Sequence, residues 1–410
     1  MNICLVIISD AWAGAETVVH ELARHLQNKG QQVSILMNQE ILHHYSNLDS
    51  VKLINIGSLF NAVSLIRSCV SPTITTNKAT TSNNPSHSPF YVAALLREIY
   101  YKRAGNILAR YIADNKYDVI HANLNAGIVL TSRLLDFITI PVIATLHGQS
   151  VAGMPYKGTF KWITNPVGSW RRIRFAEALH KANLITTVSY NELYIAKKRL
   201  STLKDKAIVI PNGVNIGEII NSVSEPDKLK GQFNLLFPGG TKYVKGGDLL
   251  LEALVKVRER AVGVHLYFAG DVPINHSLRK QVAKAGLSDD VTFTGFLPIN
   301  EYRQLLNSID LLIAPSREES FGIVFLEAMA LGKPVIGSIT SGIPEVVTNG
   351  RNGILVTLEP GEIAEAILYL RDNEKLRQQI SENNLEDVTK FDWSNIIDRY
   401  IEVYAQAMGY

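Results

Sequence analysis

Short apolar runs rich in β-branched residues recur along this chain, each followed by a stretch of helical periodicity, and that alternation leaves few folds open. In the first half the runs fall at Asn2–Ile8, Val33–Met37, Asp118–Ala122, Pro141–Leu146, Leu184–Val188 and Ala207–Ile210. In the second half they fall at Phe233–Phe237, Val264–Ala269, Val291–Thr294, Asp310–Ala314, Pro334–Gly337 and Gly353–Val356. As a set they do not alternate strictly between apolar and polar, as strands with one wet face would, so they predict parallel strands covered on both sides by helices. The helices are amphipathic: in the first, Val18, Val19, Leu22 and Leu26 form one stripe and Gly30 is placed to end it. Strand, helix, strand repeated twice over predicts two doubly wound α/β domains.

At 410 residues the chain exceeds what one hydrophobic core accommodates, which also argues for two domains. The expected division is 1–210, with a mobile insert at 71–89, then 211–390, then a terminal helix over 391–410. The linker is placed at Ile210–Asn215, where Pro211, Asn212 and Gly213 cluster. In the insert, 15 of the 19 residues from Ser71 to Pro89 are Ser, Thr, Asn or Pro, which cannot build a core. The segment that follows mixes aromatic, aliphatic and basic residues; it reads as a core helix with a solvated face or as a surface that touches anionic lipid.

Charged residues are 19% and the net charge is only +3, so nucleic acid is not suggested as a partner. Two cysteines, Cys4 and Cys69, exclude a disulfide framework and fit a reducing cytosol. The opening run Ile3–Ile8 is short and no Lys or Arg precedes it, which argues against a signal peptide. No stretch approaches the ~20 apolar residues of a membrane span, so the expected location is cytoplasmic, soluble or peripherally attached at the inner face of a membrane.

In open α/β sheets ligands bind beyond the carboxyl ends of the strands, which directs attention to four strand-to-helix turns. The first, Ser9–Glu16, is rich in small residues and places Gly14 where backbone could approach an anion, or simply where a tight turn needs it. The second ends a strand with His147 and Gly148, a structural histidine or one that faces a ligand. The third, Phe237–Asp248, joins Gly239 and Gly240 to Lys242 and Lys245 before a helix, which offers a diphosphate exposed amides, positive charge and a helix dipole. The fourth is PSREESFGIVFLEAMALGKPVIG, in which a helix is expected from about Ser320, leaving the amides of Phe321, Gly322, Ile323 and Val324 as donors. Glu319 stands at its mouth and Glu327 among apolar neighbours. A carboxylate there is costly to bury unless something binds it, and vicinal hydroxyls would do so; otherwise Glu327 points to water.

Together with AGAE, DVIHAN, TLHGQ, TVSY, IPNGVN, KGGDLLLEA, FTGFLP, GIPEVV and NGILV, this segment resembles glycosyltransferase family 4, and the likeness runs in order along nearly the whole chain. The resemblance implies the GT-B fold, two Rossmann-like domains facing a cleft, and retaining transfer of a hexose from a nucleotide sugar. It implies that Glu327 holds the ribose hydroxyls, that Glu319 and His147 lie by the donor sugar, and that Lys245 and the amides of Gly322 to Val324 take the diphosphate. Gly14 would close over the phosphates from the first domain. No metal or other cofactor is implied, since fixed positive potential can stabilise the leaving diphosphate. The expected partners are the nucleotide sugar, a glycan or lipid-linked glycan acceptor in cell-surface polysaccharide synthesis, and an anionic membrane surface. Two positions depart from the family pattern: Gly240 stands at an arginine position, with Lys242 available to replace its charge, and Ala13 stands for a glycine. The departures keep other readings open: an inactive sugar-nucleotide-binding protein, a sugar-nucleotide epimerase or a phosphorylase of the same fold.

Overall fold

The structure, a computed structural model, describes residues 1–9, 14–48, 51–56, 104–132, 134, 138–148, 166–200, 203 and 206–410, with only the backbone for 166–171. The expected insert at 71–89, the first part of the basic-aromatic segment and residues 10–13 of the first turn lie outside the described residues. The chain divides into two compact units, one of Met1–Thr187, Leu193–Ile210 and Ile397–Tyr410, the other of Val188–Glu192 and Pro211–Ile396.

The first unit is built on a seven-stranded sheet: β1 (Asn2–Ile7), β2 (Gln32–Met37), β3 (Lys52–Asn55), β4 (Val119–Asn123), β5 (Val142–Leu146), β6 (Leu184–Thr187) and β7 (Ala207–Val209). Their order across the sheet is β3-β2-β1-β4-β5-β6-β7, and every pairing is parallel. Each strand expected here is present, and β3 is an addition. Its sequence, KLIN, is short, half-exposed and at the sheet's edge, so it lacks the apolar run that marks a strand covered on both faces. Cys4 is fully buried in β1, and that burial pushes its thiol up to about 12.

The second unit holds β8 (Phe233–Phe237), β9 (Val264–Ala269), β10 (Val291–Gly295), β11 (Leu311–Ala314), β12 (Val335–Ser338) and β13 (Ile354–Val356), ordered β10-β9-β8-β11-β12-β13 and again wholly parallel. The side-chain period of two sends Phe233, Leu235, Phe237, Leu266, Phe268, Leu311 and Ile313 into one core, while Leu236, Tyr267, Ala269, Leu312 and Ala314 enter another on the opposite face. Both faces are dry along the inner strands, which is why these show no alternation in sequence; the edge strand β10 is half-exposed and alternates.

The last helix, Trp393–Met408, ends in the first unit and is fastened there by polar contacts as well as packing. His121 of β4 is fully buried and bonded at both ring nitrogens, Nδ1 to Tyr404 Oη at 2.8 Å and Nε2 to Thr145 Oγ1 at 2.5 Å. Thr145 Oγ1 in turn lies 2.5 Å from Thr186 Oγ1, so the network crosses three strands. Burial, with His147 adding to it, lowers the His121 pKa to about 3, and the ring is neutral. Tyr404→Phe leaves one buried ring nitrogen without its partner. The expected cost is about 1 to 3 kcal/mol in urea unfolding monitored in the first unit; an unchanged midpoint would show that the helix is held by packing alone.

Candidate active site

Both sheets reverse their strand order once, between β1 and β4 in the first unit and between β8 and β11 in the second. The loops leaving two such neighbouring strands run to opposite sides of the sheet and leave a crevice at the carboxyl ends. In the second unit the loop after β8 carries Gly239, Gly240, Lys242 and Lys245, and the loop after β11 carries Glu319 to Gly322. Pairing of Leu236 with Leu312 aligns the two exits. The result is a contact across 74 residues: Lys245 Nζ donates to Glu319 Oε2 at 2.5 Å, with both side chains partly exposed, 29% and 15%.

The loop bearing Glu319 is held from several sides. Ser338 Oγ and Thr340 Oγ1 donate to Ser316 O, and Gly342 N donates to Glu319 O. The helix then runs Ile323–Ala330, three residues later than expected. Gly322 delays it: its φ is +92°, and a Cβ there would lie 2.6 Å from the Phe325 ring, so the chain turns through a left-handed residue before winding. Phe321 accordingly belongs to the approach, its side chain buried and edge-on to Phe391 at 5.7 Å between ring centres. Phe325 N donates back to Gly322 O, which leaves Ile323 and Val324 as the first-turn amides with no acceptor inside the helix.

Glu327 sits one turn into this helix, its neighbours Phe325, Leu326, Ala328 and Met329 all buried. It retains some surface, yet its carboxyl is surrounded enough that burial pushes its pKa up to about 7, with Arg303 and the Tyr302 hydroxyl opposing. Arg303 comes from the helix Ile299–Ser308 and donates to Glu218 Oε1 at 3.0 Å. The Tyr302 hydroxyl is buried near Glu327 without a hydrogen bond of ordinary geometry among the described residues. Glu327 is thus an acidic group closed in by protein, with a cation and a hydroxyl as its polar neighbours.

In the first unit, Gly14 opens the helix Gly14–Asn28 after β1, and His147 follows β5. His147 Nε2–H donates to Asn123 Oδ1 at 3.0 Å, and Asn123 Nδ2 donates to His121 O at 3.2 Å, which fixes the amide's orientation. Burial pulls the His147 pKa down to about 4. The ring is therefore neutral at pH 7, protonated at Nε2, and offers Nδ1 as an acceptor; it is suited to receiving a hydroxyl's proton in a hydrogen bond and not to acting as a cation.

Two family models account for most of the chain. Residues 12–218 match Glycosyltransferase Family 4, and residues 220–387 match Glycosyl transferases group 1. An uncharacterised glycosyltransferase of Methanocaldococcus jannaschii is 31% identical over 313 residues, 75% of this chain and 79% of that protein. The chain belongs to glycosyltransferase family 4. This family 4 chain is also 28% identical over 302 residues to a phosphatidyl-myo-inositol mannosyltransferase of Mycobacterium leprae, covering 72% of it and 75% of that protein. Among solved structures, a glycosyltransferase from Rickettsia africae superposes with a TM-score of 0.73 at 18% identity, covering 100% of this chain and 98% of that one. Anabaena HepE in complex with UDP-glucose gives 0.71 at 20% identity, covering 99% and 100%. Its fold is that of these GT-B enzymes, and it is a nucleotide-sugar-dependent glycosyltransferase.

At the departures from the family 4 pattern, Gly240 has φ +52° and donates its N–H to Ala269 O, and Lys242 is exposed with no ion pair among the described residues. Residues that the sequence did not single out are Asn123, which orients His147, and Arg317, Asp248, Tyr302 and Arg303. Arg317 lies inside the segment that drew attention, but its partner Asp248 is 69 residues away.

The raised pKa of Glu327 makes a stability prediction. The folded protein binds this proton more tightly than the unfolded chain does. The resulting stabilisation is complete below about pH 4.5 and is lost as pH rises through about 7. Glu327→Gln, which cannot ionise, is expected to match the parent near pH 4 and to exceed it at pH 8 by on the order of 2 kcal/mol. Urea unfolding at the two pH values checks this; equal stability at pH 8 would mean the carboxylate is solvated.

Proposed function

We propose that this enzyme transfers a hexose from a nucleoside diphosphate to a hydroxyl of a glycan or lipid-linked glycan, with retention of anomeric configuration, in cell-surface polysaccharide synthesis. The observation that carries the reading is the convergence, at the carboxyl ends of β8 and β11, of Lys245, Glu319 and the first-turn amides of Ile323 and Val324. In this reading the diphosphate displaces Glu319 from the Lys245 ammonium and takes the helix amides, so positive potential is already in place where the leaving oxygens gain charge. Glu319, released, turns to the donor sugar, and neutral His147 accepts a hydrogen bond from a sugar hydroxyl. Glu327 takes two vicinal ribose hydroxyls, since an ionised carboxylate accepts two hydrogen bonds at once. The acceptor hydroxyl attacks from the face that the diphosphate leaves, and a phosphate oxygen takes its proton.

The UDP-glucose complex of HepE and the lipid acceptor named for the mycobacterial mannosyltransferase support a nucleotide sugar and a lipid-borne acceptor here. No described helix is long and apolar enough to cross a membrane, and an acceptor of that kind would be met at an anionic surface. Charge on the leaving group is handled by Lys245 and helix amides in this scheme, with Lys242 as the second cation in place of an arginine at 240 and no metal. Among the described residues no cluster of three or more His, Cys, Asp or Glu could hold a metal ion.

The test uses a panel of ADP, GDP, UDP, CDP and dTDP with their sugars. One nucleotide is expected to raise the melting temperature, and its sugar to be transferred with the product's anomeric signal matching the donor's, at a rate unaffected by excess EDTA. Glu327→Ala is expected to weaken that nucleotide by roughly 10- to 100-fold. Inverted product or undiminished nucleotide affinity in this variant would refute the corresponding part of the proposal.

A further inference from the structure

The short turn that presents Lys245 is not held by packing. It is a single 3-10 turn, Tyr243–Lys245, with none of its side chains buried, and the Tyr243 ring is 69% exposed. A lysine ammonium rides on a flexible four-carbon stem, so its place depends on where its backbone is held. What holds it is Arg317, reaching across from the loop after β11. The guanidinium forks onto Asp248, Nη1 to Oδ1 at 2.8 Å and Nη2 to Oδ2 at 2.7 Å; Nη1 also donates to Tyr243 O at 2.7 Å. Its Cζ lies over the Tyr243 ring, 3.8 Å from the ring centre. The main chain repeats the tie, with Arg317 N donating to Val244 O at 2.7 Å. Arg317 therefore grips residues on both sides of Lys245 in sequence, two residues before Glu319, the group that Lys245 meets. Gly246 closes the joint: its φ is +75° and a Cβ there would lie 2.1 Å from Pro315 O, so the two loops touch backbone to backbone.

We infer that Arg317 is a positioning residue for Lys245: it clamps the lysine-bearing turn to the Glu319 loop so that ammonium and helix amides face one diphosphate as a single rigid seat. The inference rests on the reading of Lys245 as the diphosphate cation. Arg317 does not itself stand in for the family's arginine, because its fork is committed to Asp248 and its side chain is only 18% exposed. Lysine at 317 would keep the charge but could neither fork onto a carboxylate nor stack on Tyr243.

The experiment compares Arg317→Lys, Lys245→Ala and the double variant, using the nucleoside diphosphate that most stabilises the parent enzyme and the matching nucleoside. Arg317→Lys is expected to lower kcat and diphosphate affinity by roughly 10- to 100-fold. Affinity for the nucleoside, which has no phosphate, should stay within about twofold, a split that a general loosening of the fold would not produce. In the Lys245→Ala background the same change should cost almost nothing more, since the group it positions is gone. Asp248→Asn, which preserves shape and weakens the fork, is expected to follow the same pattern to a smaller degree and serves if Arg317→Lys does not fold. Additive losses in the double variant, or equal losses of nucleoside and diphosphate, would overturn the role of Arg317 while leaving that of Lys245 intact. Undiminished diphosphate binding by Lys245→Ala would overturn both.

Discussion

The parallel pairing of β8 with β11 is the constraint on which the candidate site depends. These two strands are separated by more than 70 residues yet lie side by side, because the chain winds outward through β9 and β10 and then returns to the other side of β8. Parallel strands must place their carboxyl ends at the same edge, so the loops after them meet wherever the winding reverses. The first unit repeats the device between β1 and β4. In the second unit the reversal puts the glycine-rich turn that carries Lys245 beside Glu319 from a distant loop. Chemistry is assembled at these points because the backbone geometry brings loops together there without further cost.

Electrostatics at this edge is arranged by mutual satisfaction. Lys245 and Glu319 neutralise one another, and Arg317 and Asp248 do the same a few residues away. The two pairs differ in geometry: the bidentate Arg317–Asp248 fork, stacked on Tyr243, is stiff, whereas a lysine on its stem can exchange partners. Glu327 is the exception, a carboxylate whose burial raises its pKa to about 7 against the opposing effect of Arg303 and the Tyr302 hydroxyl. Such a group destabilises the empty protein above neutral pH and becomes useful when a ligand donates hydrogen bonds to its ionised form. Burial acts in the same sense on His121 and His147 of the first unit, which it holds neutral.

Much of this was legible beforehand. Apolar runs mark the strands from Asn2 to Val356, and two dry faces are the reason most of them are apolar at both parities; β10, at an edge and half-exposed, is the exception. β3 escaped notice for the converse reason, being an edge strand with one neighbour and half-exposed side chains. The helix start was placed at Ser320 and is at Ile323, since a glycine's tolerance of positive φ is visible in a sequence but its use is not. Glu319, Glu327, Lys245 and His147 could be nominated because residue type and position after a strand suggest a role. Asn123, Asp248 and Arg317 could not, because their roles consist of partners brought up by the fold.

Local composition and periodicity, then, were sufficient to specify strands, helices, fold class and the segments where an anion could be met, since those follow from hydrophobic burial and backbone chemistry acting within a few residues. The tertiary structure alone decided which loops adjoin, that Lys245 meets Glu319 and is braced by Arg317, and that Glu327 is buried enough to titrate near neutrality. Those are properties of pairs and environments, and a pair separated by some 70 positions has no energy until the sheet has closed the distance.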